Sequence, residues 1–215
     1  MKKLCVNPRN LWQKNRGGIL LGILLLIGLS IFPQSFFSLS KYEKRWALFH
    51  PFAAGKIKKH RAEMNLIYTE VKEKKLLDSY ENGGKLDAFR HTFAMAYFSK
   101  YVSVKKLRKL GKAHEKGNYL QYLSDKEENG ELPDSLSTVM DLKNNELGFS
   151  LAKEAKKLPA EEIKLKVIDQ IQQGKAYIIK RNSEGLYLDC AGNILSRQRM
   201  YKRWGVPKCL VPSNN

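Results

Sequence analysis

The sequence predicts a mainly α fold, a helical bundle with a small C-terminal β-hairpin, preceded by one N-terminal transmembrane helix. Three observations predict it. An uncharged apolar run occupies Gly17 to Phe32, helical periodicity recurs from Phe52 to Gln173, and short β-prone runs flank a turn beyond residue 175.

Continued to Phe36 and Phe37, the apolar run approaches the ~20 residues a spanning helix needs. The flank before it carries Lys2, Lys3, Arg9, Lys14 and Arg16 without an acid, and the flank after it carries Lys41, Lys44 and Arg45. That bias predicts a single-pass membrane protein with its N-terminus cytoplasmic and its domain extracytoplasmic. A signal peptide cleaved near Ser38-Leu39-Ser40, giving a secreted domain, is the rival. The organisation expected is a basic tail over 1–16, an anchor over 17–37, a juxtamembrane linker over 38–50, a helical domain over 51–174, and a β-hairpin with tail over 175–215.

Formal net charge is +18, and beyond residue 40 there are still 34 bases against 21 acids. Such a balance favours anionic partners: the membrane itself, anionic lipid or an envelope polymer. Specific nucleic-acid binding is not expected, since no zinc finger, RNP motif or aromatic-basic interleaving is present. Trp46, Leu48, Phe49, Pro51 and Phe52 form an aromatic group suited to an interface or to a lid on the core, and His50 reads as interfacial or capping.

Helices are predicted from Phe52 to Leu77, Lys85 to Tyr101, Val104 to Leu123, Asp134 to Lys157 and Pro159 to Gln173. Ser79 to Gly84 breaks the first two, Pro133 and Pro159 mark starts, and Gly174 marks a stop. His60, among lysines, reads as solvated. Ala176 to Lys180 and Leu186 to Asp189 flank Asn182-Ser183-Glu184-Gly185 as a hairpin, with a second turn at Ala191-Gly192-Asn193. Cys190 and Cys209 either pair or remain separate thiols.

Three of these helices carry inward polar stripes. On the second, Asp87, Arg90 and His91 share a face with apolar residues on both sides, making it the most buried helix, and Asp87 and His91 stand at the i, i+4 spacing at which a carboxylate orients an imidazole. On the third, His114 follows Leu107 and Leu110 inward, with Glu115 beside it. On the fourth, Asp141, Asn144, Asn145 and Gly148 line one stripe. Gly148 permits close approach of a backbone or a substrate. Acids, imidazoles, a guanidinium and amides in one core suggest either a functional centre or a structural polar network.

Asp87-Ala88-Phe89-Arg90-His91, Ala113-His114-Glu115 and the Asp141 to Gly148 segment resemble the motifs of an uncharacterised bacterial domain family found in small membrane or secreted proteins and at the ends of toxin-like chains. The resemblance covers about Gly84 to Gly174 and lends no mechanism. The resemblance implies a histidine in some relatives where Lys143 stands here, which weighs against a ligand there.

Two functions follow. One is a hydrolase acting on a phospholipid, lipid-linked phosphate or wall polymer, with Asp87, Arg90, His91, His114, Glu115 and Asp141 as the catalytic set and Arg90, Asn144 and Asn145 holding substrate. In that reading His91, oriented by Asp87, is the general base, or His91, His114 and Asp141 hold a divalent metal such as zinc. The other is a noncatalytic membrane-anchored module in which the polar network keeps helices in register while the basic surface binds anionic lipid or a protein partner. No phosphate loop, Gly-x-Ser-x-Gly elbow, HExxH or Cys/His nucleophile pattern occurs.

Overall fold

A computed structural model of the chain describes residues 38–127 and 130–215. Ser40–Asn215 form one compact unit. In chain order its elements are α1 (Lys41–Phe49), α2 (Pro51–Glu73), α3 (Lys85–Phe98), α4 (Val104–Leu123), α5 (Ser135–Ser150), α6 (Ala152–Ala155), α7 (Ala160–Gln172), β1 (Tyr177–Ile179), α8 (Arg197–Met200) and β2 (Leu210–Pro212). The mainly helical reading with a small C-terminal sheet holds.

The core is organised around α3, ten of whose fourteen residues are buried. Leu86, Phe89, Phe93 and Tyr97 are completely enclosed, and at roughly 1.5–3 kcal/mol for each large apolar side chain their burial sets the position of this helix. Helices α5 and α7 make its largest contacts. The α3–α5 crossing is close because residue 148 is glycine. A Cβ there would stand 2.4 Å from the Thr92 carbonyl oxygen and 2.8 Å from Met95 Cβ.

Several expectations are corrected. Lys41 to Phe49, read as part of a linker, is helical because Ser40 and Glu43 form a capping box: Glu43 N–H donates to Ser40 Oγ, and Ser40 N–H to Glu43 Oε2. Trp46 is buried there, its indole N–H donating to the Lys106 carbonyl at 3.0 Å. His50 joins α1 to α2 without a side-chain cap bond, edge-on to Trp46. His60 is half-buried and stacked on Tyr101 at 3.6 Å, not solvated.

The predicted hairpin also differs. Its turn exists, with Gly185 at φ +83° and Asn182 N–H donating to the Leu186 carbonyl. But the two arms share only one bridge, Arg181 with Tyr187. The ladder partner of β1 is β2, antiparallel, with Ile178 opposite Val211. The tail is brought back by the Cys190–Cys209 disulfide and by backbone bonds from Lys180 N–H to the Cys209 carbonyl and from Cys209 N–H to the Leu188 carbonyl.

The single-pass placement is corrected as well. Among the described residues no helix is long and apolar enough to cross a membrane. The longest, α2 with 23 residues, is studded with Lys56, Lys58, Lys59, Arg61 and Lys72, each costly in a bilayer interior. The anchor expected over 17–37 lies outside the described residues, so neither an orientation nor an extracytoplasmic location is carried forward.

Candidate active site

The turn before α3 sets the site. Gly83 adopts φ +71°, a left-handed conformation that favours glycine. Its N–H donates to Asp87 Oδ2 at 2.7 Å, while its carbonyl accepts from Ile179 N–H at 2.7 Å. Asp78 caps the start of α3, accepting from the N–H groups of Lys85 and Leu86. Asp87 is thus fixed in the first turn of a rigid helix, where its charge also complements the helix dipole.

One turn on, His91 stands between two buried carboxylates. Its Nε2 lies 3.5 Å from Asp87 Oδ1 and 3.3 Å from Asp141 Oδ1, the latter presented by α5 across the close crossing. Arg90 donates from NH2 to Asp87 Oδ1 at 2.7 Å, and the same nitrogen is 3.4 Å from His91 Nε2. Burial pushes the His91 pKa well below its ordinary value. The charges of Arg90 and His114 act in the same direction, and Asn145 opposes them weakly. Its imidazole is therefore held neutral, the form that accepts a proton or binds a metal.

Asp87, Arg90 and Asp141 line a cavity of about 30 Å³ together with Asn118, Thr138, Glu131 and Asp134. Residues beyond β1 bond to two of these acids: Lys208 Nζ donates to Asp134 Oδ2 at 2.7 Å, and Tyr187 Oη donates to Glu131 Oε2 at 2.7 Å. Asp134 also caps α5, accepting from the N–H groups of Leu136 and Ser137.

The remaining predicted residues are distributed around this centre. His114 comes close to His91, with ring centroids 6.4 Å apart, but its Nδ1 is 3.0 Å from Glu43 Oε1 and its side chain is 39% exposed. It is not among the three donors that converge. Glu115 is buried and accepts from Asn118 Nδ2 at 3.2 Å. Asn144 is committed to β1: its Nδ2 donates to the Tyr177 carbonyl and its Oδ1 accepts from Tyr177 N–H, both at 2.9 Å. Asn145 packs beside His91 and against α4, where its amide nitrogen would lie 2.9 Å from a Cβ at Gly111. Glu43, Asn118 and Asp134 were not among the site residues expected from the sequence, Asp134 being expected only as a helix start. Glu43 pairs with His114, and burial, which raises its pKa, is outweighed by the hydrogen bond and charge of His114 and by Ser40, so the pKa falls to about 2.

Among the described residues, the one group of metal-ligating side chains that converges is Asp87, His91 and Asp141, each offering an atom within 4.8 Å of the others. Lys143 instead lies over the Tyr177 ring at 4.4 Å.

Comparison with curated proteins and with solved structures finds no match. A family match does exist, and it spans α1 through α7, so it takes in every residue of the converging group. Covering residues 44–175, well over half of the sequence, it shows that the chain belongs to the family described as Domain of unknown function (DUF6973).

Proposed function

We propose that this protein is a hydrolase acting on an anionic substrate of the phosphate-ester class, with water activated where His91 meets Asp87 and Asp141. The observation that carries the reading is a neutral, buried imidazole flanked by two carboxylates that, with a guanidinium, line a cavity. Three buried titratable side chains so placed are costly for stability alone. His91 takes the proton of the attacking water. Arg90, with a side chain 27% exposed, pairs with the substrate's charge. His114, with Glu43 behind it, faces the same centre from α4 and is placed to return a proton to the leaving group.

The test is turnover of p-nitrophenyl phosphate, bis-p-nitrophenyl phosphate and a phospholipid by the full chain, His91→Ala and Asp141→Asn. The expected outcome is hydrolysis of at least one substrate class by the wild type and a loss of about 10²-fold or more in both variants, as removal of a general base or its partner produces. Absence of turnover by folded wild-type protein on all three, or variants that match it, would overturn the reading.

A second reading, a noncatalytic module with a structural polar network, is favoured by Asn144. Both ends of its amide are spent on the β1 backbone, and Thr92 Oγ1 donates to the Asn144 carbonyl at 3.1 Å. The same turnover experiment separates the two.

A further inference from the structure

We infer that Asp87, His91 and Asp141 form a binding site for one divalent cation of borderline hardness, zinc or manganese. The inference builds on the hydrolytic reading of the same site. Its test reads binding of the metal itself, so failure of one does not imply failure of the other.

The first argument is geometric. Two donors bound to one ion at ~2.1 Å and separated by a tetrahedral angle stand roughly 3.4 Å apart. His91 Nε2 lies 3.5 Å from Asp87 Oδ1 and 3.3 Å from Asp141 Oδ1. Both separations exceed the ~2.7–3.2 Å of an ordinary N–H···O bond, yet both suit ligands around a common centre. The three side chains come from two rigid helices in close contact. Asp87 and His91 lie one turn apart on α3, and Asp141 faces them from α5. Asp87 is further fixed through its second oxygen by Gly83 N–H, the kind of outer-shell bond that orients a ligating carboxylate.

A second observation is independent of the carboxylates. Asn145 is 2% exposed, and its Oδ1 has no hydrogen-bond partner. A buried amide oxygen left open is costly, and a metal-bound water would satisfy it.

A third argument is electrostatic. The protein carries a formal charge of +18, but four carboxylates and one guanidinium line the cavity: Asp87, Glu131, Asp134 and Asp141 against Arg90. Two of these acids are matched by cations of the C-terminal region, Asp134 by Lys208 at 2.7 Å and Glu131 by Arg181 and Lys208 at 3.8 and 3.9 Å. Asp87 pairs with Arg90 at 2.7 Å, and Asp141 lies 3.3 Å from His91 Nε2. A divalent ion reverses the local charge, so that Arg90 and the ion together present positive charge to an anion. One imidazole among the donors favours zinc or manganese over calcium or magnesium, whose preferred ligands are all oxygen.

The experiment is titration of the full chain, stripped with chelator, with zinc or manganese alone, followed by calorimetry and by elemental analysis after gel filtration. Cobalt substitution provides a spectroscopic signature of an imidazole-carboxylate site. One equivalent is expected to bind the wild type, with affinity lowered at least tenfold in Asp87→Asn and in Asp141→Asn, isosteric changes checked for folding by thermal melts. His114→Gln is expected to bind as the wild type does. No stoichiometric binding, unchanged affinity in both Asn variants, or loss of binding in His114→Gln would each overturn the inference.

Discussion

At the residue scale, Glu43 shows how a surface segment reaches the site. Its carboxylate is held at a pKa of about 2, against an ordinary 4.5, because His114 and Ser40 favour the ionised form more than burial disfavours it. A depressed folded-state pKa stabilises the fold fully above the unfolded value, and that stabilisation is lost as pH falls from 4.5 toward 2. Glu43→Gln is expected to lower stability at pH 7 on the order of 1–2 kcal/mol, allowing for screening of a partly exposed pair, and to flatten the fall in stability between pH 4.5 and 2. Urea midpoints of both proteins across that range would check it. A parallel pH dependence in the two would refute it. Asp87, His91 and Asp141 were legible in the sequence because each lies on a stripe with apolar residues on both flanks. Glu43 was not, although Ser40 and Glu43 at capping-box spacing were available to mark a helix start. The spacing fell in a stretch read as linker beside an apolar run.

At the scale of elements, the helices were largely legible from period and punctuation. α4 matches its predicted limits, and the others end within a few residues of theirs or, like Asp134 to Lys157, divide into α5 and α6. Helical period is a local signal. Strand pairing is not, and the partner of β1 was missed because β2 lies 31 residues further on, returned by a disulfide that two cysteines alone do not announce. The α3–α5 crossing was half legible: Gly148 signalled a close approach, but the sequence did not say to what. The structure supplies Thr92 and Met95. Gly148→Ala would recover up to ~1 kcal/mol of helix propensity, but its Cβ meets a backbone oxygen that no rotamer change can move aside. Overpacking of this kind costs roughly 1–3 kcal/mol, so the variant is expected to be destabilised overall. Since the same crossing sets the separation of Asp141 from His91, the variant should also lose metal affinity. Denaturant midpoints read the first effect and zinc titration the second. A Gly148→Ala protein as stable as wild type, with unchanged metal affinity, would show that the crossing relaxes freely.

At the scale of the whole molecule, the C-terminal tail joins two features that the sequence presents separately, the disulfide and the cavity. Cys209 follows Lys208, which is buried against Asp134, and Asp134 caps the helix that carries Asp141. Chain entropy predicts that a disulfide across a 19-residue separation contributes about 3 kcal/mol. For a chain of this size that corresponds to a fall of roughly 6–12 °C in Tm on reduction. The loss should not be uniform. The helical bundle is held by α3 and its apolar neighbours, which make no covalent link to the tail, whereas β2 is held by three paired residues, by Val211 packed at the edge of that core, by the neighbouring disulfide and by the Lys208 ion pair. Reduction is therefore expected to release the tail first, in a local step that leaves the far-ultraviolet helical signal nearly intact. Hydrogen exchange at Lys180, Leu188 and Cys209, whose N–H groups are bonded within this appendage, should speed up well before exchange in α3 does. Asp134 would then lose Lys208 while the three converging side chains stay in place. Zinc titration of reduced protein at a temperature below its melt distinguishes the consequences. Retained binding, with exchange accelerated only in the tail, is the expected result. Simultaneous loss of helix and tail protection would mean that the disulfide supports the bundle itself.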